Sequence, residues 1–136
     1  MAPAFSRAEY DDRLVRVRAE MVARGLDAVI IGDPANINWL TGYDAWSFYT
    51  PQIMLVDLQD GPFWMGRLMD AGSAKFTTYL TDPQIVAYPE PLVQRLDTHP
   101  MEFLADWIAG NGFATARIGF EDDVYYLTPR AVGALQ

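Results

Sequence analysis

Residues 30–52 read IIGDPANINWLTGYDAWSFYTPQ, and this stretch indicates how the chain folds. Its two isoleucines end an apolar run that predicts a buried strand. Asp33 and Pro34 then supply a helix cap and a first helical residue, so residues 35–40 are predicted to form a short helix that ends near Gly42. A strand followed directly by a helix is typical of open α/β sheets, in which ligands bind beyond the carboxyl ends of the strands.

Aromatic side chains crowd the rest of this stretch. The rings belong to Trp39, Tyr43, Trp46, Phe48 and Tyr49. A plain turn needs only Gly, Pro and Asx residues, whereas ordering several amphipathic rings suits a surface that a ligand or another chain covers. The segment therefore predicts an interface or a pocket.

Caps and periodicity predict the elements on either side. Ser6 and Glu9 have the spacing of a capping box, which predicts a helix that runs to Arg24. The further elements are a strand at 26–31, a hairpin of strands 53–58 and 63–66, a helix at 71–80, a strand at 85–88, a helix from Pro100 to the glycines at 110 and 112, a strand at 116–120, and a short helix opened by Thr128 and Pro129. Five strands with helices between them, two of the strands in a hairpin, imply a three-layer α/β domain around a mixed sheet.

The composition fits one globular domain over residues 1–136, with 51% hydrophobic residues. The net charge of −8 argues against a nucleic-acid partner, because phosphate binding depends on clustered Lys and Arg, and Lys75 is the only lysine. The arginines of the first helix alternate with acids and are interpreted as a solvated face. They are Arg13, Arg16, Arg18 and Arg24.

The chain contains no cysteine, so it gives no sign of a disulfide framework or an oxidising compartment. Its first residues, MAPAFSRAEYDD, lack the basic start and apolar core of a secretory signal. No apolar run approaches the roughly 20 residues that a membrane-spanning helix needs. We therefore expect a cytoplasmic protein with no membrane partner.

Catalytic groups are sparse in this sequence. His99 precedes Pro100 at a helix start, where capping the turn is favoured over metal binding, because a single histidine cannot fill a four-ligand site. Asp122 and Asp123 are interpreted as solvated loop acids rather than a weak cation site. No serine has the glycine-flanked elbow of a nucleophile, and no glycine-rich phosphate loop occurs. We predict no catalytic residue, no metal site and no cofactor within this chain.

Six residues remain as candidates for substrate binding or an interface: Trp39, Tyr43, Asp44, Trp46, Tyr49 and Arg67. For Trp39 the alternative is a place in the core, at the buried end of its helix. For the four residues of the loop, plain packing is the alternative. Arg67 has a fork suited to holding a substrate carboxylate, while solvation or an ion pair with Asp70 would also account for it.

The segments IIGDPANINWLTGY, SRAEYDDRLVRVRAEMVARGLDAVII, PFWMGRLMDAGSAKFTTYL and HPMEFLADWIAGNGFATARIGFE together cover nearly the whole chain. In their order and spacing they resemble the amino-terminal domain of the creatinase, prolidase and aminopeptidase P family of metal-dependent hydrolases. Within that family, GYDAWSFY and WMGRLMDA look more like the ectoine hydrolase and dimethylsulfoniopropionate-lyase-like branch than like ordinary dipeptidases. The resemblance implies a ribonuclease-H-like fold.

The resemblance also implies a role for the domain. In such proteins two divalent metal ions lie in a separate carboxy-terminal catalytic domain, on two Asp, one His and two Glu. The amino-terminal domain commonly leans over the active site of the neighbouring subunit in a homodimer. We therefore expect this chain to be part of a longer polypeptide, contributing dimer contacts and specificity for a small-molecule or dipeptide substrate. A domain that only dimerises or binds a small ligand is the alternative.

Overall fold

The computed structural model describes residues 3–45, 47 and 49–136. Its helices are α1 (Arg7–Ala23), α2 (Pro34–Thr41), α3 (Ala71–Thr77), α4 (Pro100–Ile108) and α5 (Pro129–Leu135), and its strands are β1 (Ala28–Ile31), β2 (Ile53–Asp57), β3 (Phe63–Arg67), β4 (Ile85–Tyr88) and β5 (Ile118–Phe120). Short 3₁₀ turns lie at Leu68–Asp70, Asp82–Gln84 and Glu90–Leu92, and a π-turn at Ala109–Phe113 follows α4. Every predicted helix and strand is present, with ends shifted by a few residues.

The strands form one sheet in the order β4-β3-β2-β1-β5. Strand β2 runs antiparallel to both of its neighbours, β1 and β3, whereas β1 pairs with β5, and β3 with β4, in parallel. Four strands therefore point the same way, and β2 points against them. The mixed five-stranded sheet that the sequence predicts is confirmed.

Side chains alternate between two cores, one on each face of the sheet, as the period of a strand requires. On β2, Met54 and Val56 face the core beneath α1, α2 and α3, while Ile53 and Leu55 face the core beneath α4 and α5. All four of these side chains are buried. The helices therefore cover both faces, and the three-layer arrangement is confirmed.

Local caps fix where several helices begin and end. The side chains of Ser6, Asp33 and Thr128 each accept a backbone hydrogen bond at the start of α1, α2 and α5. Gly42 ends α2 with a φ of 80°, the left-handed conformation that glycine adopts without steric cost. These are the caps that the sequence predicts, and they set the position of the loop that follows α2.

The solvated face predicted for the arginines of α1 is wrong for two of them. Arg13 is buried, and its Nη1 donates a hydrogen bond to the carbonyl oxygen of Trp39 at 2.7 Å. Arg18 donates to the carbonyl oxygens of Asp57, Gln59 and Gly61, so it holds the β2–β3 turn against the helix. The carbonyls at the end of a hairpin lack strand partners, and a guanidinium satisfies several of them at once.

Candidate functional site

One edge of the sheet gathers the segments that the sequence analysis singled out. Strands β1, β3, β4 and β5 all end there, and β2 begins there. The described loop residues between α2 and β2, which are 42–45, 47 and 49–52, therefore lie at this edge. Loops gather at such an edge and provide ligand contacts in α/β proteins.

Arg67 and Tyr49 come together at this edge, although 17 residues of sequence separate them. Arg67 is the last residue of β3, and its Nη1 donates to the hydroxyl of Tyr49 at 3.0 Å. Its Nε donates to Glu90 at 2.7 Å, and the second carboxylate oxygen of Glu90 accepts from the backbone N–H of Met69 at 2.8 Å. We call these three side chains, Tyr49, Arg67 and Glu90, the edge cluster.

The edge cluster is held by charge. Hydrogen bonding to Arg67 is the main cause that lowers the pKa of Glu90, and the same bond is the main cause that raises the pKa of Arg67. Both groups therefore stay ionised near neutral pH. Tyr49 is 55% exposed, so the cluster faces solvent at one side. The Nη2 group of Arg67 makes no hydrogen bond within the described part of the chain, which leaves one arm of the fork for an outside acceptor.

Arg67 does not pair with Asp70, which was one alternative for it. Asp70 lies beside a buried group of polar side chains instead, and its Oδ2 is buried without a hydrogen-bond partner among the described residues. Its negative charge contributes to raising the pKa of Tyr43 and of Tyr88, for both of which burial is the larger cause. Glu90 takes the place beside Arg67 because β3 and β4 are parallel neighbours whose ends meet at this edge.

Tyr43 is packed in the core and is only 2% exposed. Its ring lies against that of Trp64, with centroids 5.6 Å apart, and its hydroxyl is buried without a hydrogen bond among the described residues. Burial, followed by the charge of Asp70, raises the pKa of Tyr43 to about 12, and the nearby Trp64 and Gln52 side chains lower it in part. Within this fold the ring anchors the start of the loop and is closed to a ligand.

Trp39 is not in the core, contrary to the alternative that placed it at the buried end of its helix. The residue is 39% exposed, and the guanidinium carbons of Arg13 and Arg16 lie 5.2 and 5.4 Å from the centroid of its ring. The tryptophan packs on α1 rather than beneath it, because cations stabilise an aromatic face that remains partly in water. Trp39 therefore lies apart from the edge cluster.

Asp44 is exposed, and its backbone N–H donates to the Thr77 hydroxyl at 3.4 Å. Trp46, the remaining candidate of this loop, lies outside the described residues. Of the six predicted residues, the structure thus brings Tyr49 and Arg67 into one group. Glu90 completes that group and was missed, because only the parallel pairing of β3 and β4 reveals its proximity to Arg67.

A second feature of this edge was also missed. An open cleft of about 350 Å³ lies between the loop containing Tyr49, the segment before α4 and the start of α5. Residues lining it include Tyr49, Arg95, His99, Tyr125, Arg130 and Ala131. His99 caps α4 as predicted, since its Nδ1 accepts from the N–H of Met101 at 3.1 Å. No sequence motif joins residues that are this far apart in the chain.

Glu121 fixes the carboxyl end of β1 from the neighbouring β5. One of its oxygens accepts from the N–H groups of Gly32 and Asp33, each at 2.8 Å, and the other from the Asn36 side chain. This carboxylate satisfies amides that open the turn into α2, and therefore holds the frame of the edge.

Within residues 3–45, 47 and 49–136, no three His, Cys, Asp or Glu side chains are grouped as a metal ion would require. In those same ranges no helix has both the length and the apolar character needed to cross a bilayer.

Comparison with known proteins identifies the family. Residues 13–136 match the Creatinase/Prolidase N-terminal domain model. The chain is 45% identical over 132 residues to ectoine hydrolase of Halomonas elongata, spanning 96% of this chain and 33% of that protein. It is 44% identical over 133 residues to the uncharacterized hydrolase/peptidase y4tM of Sinorhizobium fredii, covering 97% of this chain and 34% of that protein. The chain thus spans about a third of the length of these curated relatives.

Solved structures share the fold. The N-terminal domain of an X-Pro dipeptidase from Streptococcus pyogenes superposes with a TM-score of 0.71 at 19% identity, over 92% of this chain and 86% of that one. The dipeptidase PepE from Mycobacterium ulcerans gives a TM-score of 0.69 at 17% identity, over 96% of this chain and 33% of that one. On the match over residues 13–136, the chain belongs to the creatinase/prolidase amino-terminal domain family.

Proposed function

We propose that this chain is the non-catalytic amino-terminal domain of a metal-dependent hydrolase that cleaves a C–N bond. The observation that carries the proposal is the 45% identity to ectoine hydrolase, which extends over 96% of this chain but only 33% of that protein. Similarity of this extent supports a shared domain and a shared reaction class, with the chemistry in the part that this chain does not span. Ectoine and Xaa-Pro dipeptides are the substrates to test first.

The metal ions of such an enzyme would need ligands from elsewhere. The resemblance calls for two Asp, one His and two Glu around two divalent ions, and the described residues provide no such group. His99 already uses Nδ1 to cap α4. The residues present do not fit the metal pair, and we assign no catalytic step to this chain. The carboxy-terminal catalytic domain is its proposed partner.

The edge cluster is the proposed contact with substrate in a neighbouring subunit of a cytoplasmic homodimer. Glu90 holds the guanidinium of Arg67 in one orientation through a 2.7 Å bond, and Tyr49 holds it through a second bond. A guanidinium fixed on two sides loses little freedom when it binds, which favours recognition of a carboxylate. The exposed ring of Tyr49 adds an amphipathic surface beside it.

A domain that only binds a small ligand or dimerises is the second candidate. The observation that favours it is the open cleft of about 350 Å³ at the same edge, because a site of this size can bind a ligand without a catalytic partner. Both proposed functions use this edge of the sheet. Only the hydrolase proposal requires the complete protein to turn over a substrate, so a measurement of turnover distinguishes the two.

The test uses the complete polypeptide encoded by the gene. The coding region after Gln136 is read for the spaced Asp, Asp, His, Glu and Glu ligands, and the purified protein is assayed with ectoine and Xaa-Pro dipeptides, with and without a chelator. Chelator-sensitive hydrolysis is the expected result. A complete polypeptide without those ligands and without turnover would refute the hydrolase proposal and favour the binding domain.

Substitutions then test the edge itself. We expect Arg67→Ala to lower kcat/KM by at least about tenfold, the usual effect of losing one charged hydrogen bond. Trp46→Ala is expected to lower it as well, with circular dichroism showing that both variants remain folded. Glu90→Gln is the matched control, because it breaks the ion pair and keeps the guanidinium. Unchanged turnover in Arg67→Ala, or equal losses in Arg67→Ala and Glu90→Gln, would rule out a direct substrate contact.

A further inference from the structure

The cleft beside the edge cluster has the character of a binding site. Its walls come from three separate segments, represented by residues 47 and 49–51, residues 94–100, and residues 125–131, which meet only in the folded protein. Its volume of about 350 Å³ lies at the lower end of the range for small-molecule sites, about 300–1,000 Å³. The cleft therefore suits a compact ligand rather than a peptide chain.

Arg130 brings positive charge to this cleft. Its Nη2 donates to the carbonyl oxygens of Leu96 and Thr98, each at 3.1 Å, which fixes the plane of the guanidinium. Within the described ranges, the Nε and Nη1 groups of Arg130 make no hydrogen bond, and no carboxylate forms an ion pair with this arginine. Arg130 thus presents oriented donors whose charge is not neutralised by a bonded acid.

Arg95 also lines the cleft, but its charge is already matched. Asp97 accepts from its Nε at 2.7 Å and from its Nη2 at 2.6 Å. This pairing is the main cause that lowers the pKa of Asp97 to about 2. Of the acids nearby, Asp97 pairs with Arg95 and the charge of Glu102 acts on His99, so within the described ranges Arg130 is the arginine of the cleft that forms no ion pair.

His99 adds a neutral donor. Its Nδ1 accepts from the N–H of Met101, so the proton of the neutral ring lies on Nε2. Burial, with the charge of Arg130 as the second cause, lowers the pKa of His99 and so favours this neutral form near pH 7. The imidazole can therefore donate one hydrogen bond into the cleft.

Aromatic surface completes the site. Tyr49 is 55% exposed and Tyr125 is 97% exposed, and both line the cleft. Pro100 and Ala131 add apolar surface. A ring or an aliphatic chain can pack on these side chains while a charged end reaches Arg130.

We propose that this cleft binds a small organic monocarboxylate, with the carboxylate on Arg130 and His99 and the apolar body on Tyr49 and Tyr125. The single guanidinium of Arg130, which forms no ion pair within the described ranges, matches a single carboxylate, whereas a phosphate dianion would leave excess negative charge beside Asp97 and Glu102. A guanidinium recognises the planar carboxylate through two parallel hydrogen bonds. The site does not depend on Arg67 or on turnover by a larger protein.

The experiment titrates the chain with benzoate and with benzamide, its neutral counterpart of the same shape, followed by heteronuclear NMR. Benzoate is expected to bind at least tenfold more tightly than benzamide, with shifts around the cleft. We expect Arg130→Met to weaken benzoate binding at least tenfold and to leave benzamide unchanged. Arg117→Met is the matched control, because Arg117 precedes β5 at the opposite edge of the sheet, and this variant should bind benzoate like the parent.

A second variant guards against a structural effect of Arg130→Met. Tyr125 is almost fully exposed, so Tyr125→Ala should keep the melting temperature and weaken benzoate binding several-fold. The proposal is overturned if benzoate and benzamide bind equally, if neither binds, or if Arg117→Met weakens benzoate as much as Arg130→Met does. It is also overturned if inorganic phosphate displaces benzoate at lower concentration than benzoate itself binds.

Discussion

Replacing Arg13 with alanine tests the interpretation that a buried arginine joins α1 to α2. Its side chain is only 6% exposed, donates to the carbonyl of Trp39 at 2.7 Å and contacts Glu9 at 3.0 Å. The rings of Phe5, Tyr10 and Trp39 lie 4.3, 5.2 and 5.2 Å from its guanidinium carbon. The substitution removes all of these interactions and leaves the partly buried carbonyl of Trp39 without its donor.

The expected loss follows from these contacts. A hydrogen bond from a charged donor contributes about 1.5–3 kcal/mol, and a partly desolvated cation–π contact adds about 1 kcal/mol. Because the contacts share one side chain, they are not additive, and we expect Arg13→Ala to lower the free energy of unfolding by about 3 kcal/mol. For a chain of this size that corresponds to a melting temperature lower by about 10 °C.

Arg24→Ala is the matched control at the carboxyl-terminal cap of the same helix. Arg24 also pairs with a glutamate four residues before it, Glu20, at 2.6 Å, but its side chain is 69% exposed. Exposed pairs of this kind contribute about 0.3–0.5 kcal/mol. Urea unfolding of both variants, followed by circular dichroism, measures the difference. A difference below about 1 kcal/mol between the two would refute the role assigned to Arg13.

Two further predictions concern the core near the edge. Gly66→Ala should destabilise the fold by about 1–3 kcal/mol, since a Cβ there would lie 2.5 Å from the indole of the fully buried Trp64. Gly72 lies in α3, and a Cβ added there would have no neighbouring atom within 4 Å, so we expect Gly72→Ala to leave the free energy of unfolding in urea unchanged or to raise it. Equal losses of stability in Gly66→Ala and Gly72→Ala would contradict the packing argument. Burial raises the pKa of Tyr43 from 10.0 to about 12, so its contribution to stability is complete below pH 10 and is lost as the pH rises from 10 to 12. Unfolding measured across that range should show a smaller decline for Tyr43→Phe, and an unchanged decline would refute the assignment.

Local signals explain why the order of elements was predictable from the sequence. A cap such as Ser6, Asp33 or Thr128 binds a backbone N–H within three residues, so the neighbouring residues in the sequence are enough to predict it. Proline and glycine residues between the elements also start or end a helix or a strand through effects on the neighbouring residues alone. Element ends proved less certain: the helix predicted over 71–80 ends at Thr77, where the Thr78 N–H closes the last turn on Ala74.

Long-range partners explain what the sequence did not predict. Arg13 and Arg24 both follow a glutamate by four residues, and their local sequence offers no reason to bury one and expose the other. The difference arises because the Arg13 side of α1 packs on α2. In the same way Glu121 is an ordinary acid after a strand until β5 pairs with β1 and brings it to the amides of Gly32 and Asp33.

In the candidate site, too, local signals could be recognised in the sequence and long-range partners could not. The loop and the strand end that the sequence singled out contain Tyr49 and Arg67, which the structure brings together, and both stood out in the sequence through the crowding of aromatic residues and the isolation of the arginine. The sequence could not supply Glu90, which lies 23 residues beyond Arg67, or Arg130, which lies 81 residues beyond Tyr49. These partners depend on the parallel pairing of β3 with β4 and on the packing of α5 against α4.

Tyr49 joins the two features of this edge. Its hydroxyl accepts a hydrogen bond from Arg67, while its ring lines the cleft that contains Arg130. A rotation of this ring would change the wall of the cleft and remove one of the two restraints on Arg67 in the same movement. Glu90 and Glu121 hold the surrounding segments with charged hydrogen bonds, and the exposed ring of Tyr49 is shared by the cluster and the cleft. An edge held by charged hydrogen bonds, with one exposed aromatic ring beside a guanidinium, suits a domain whose proposed role is to shape specificity rather than to perform chemistry.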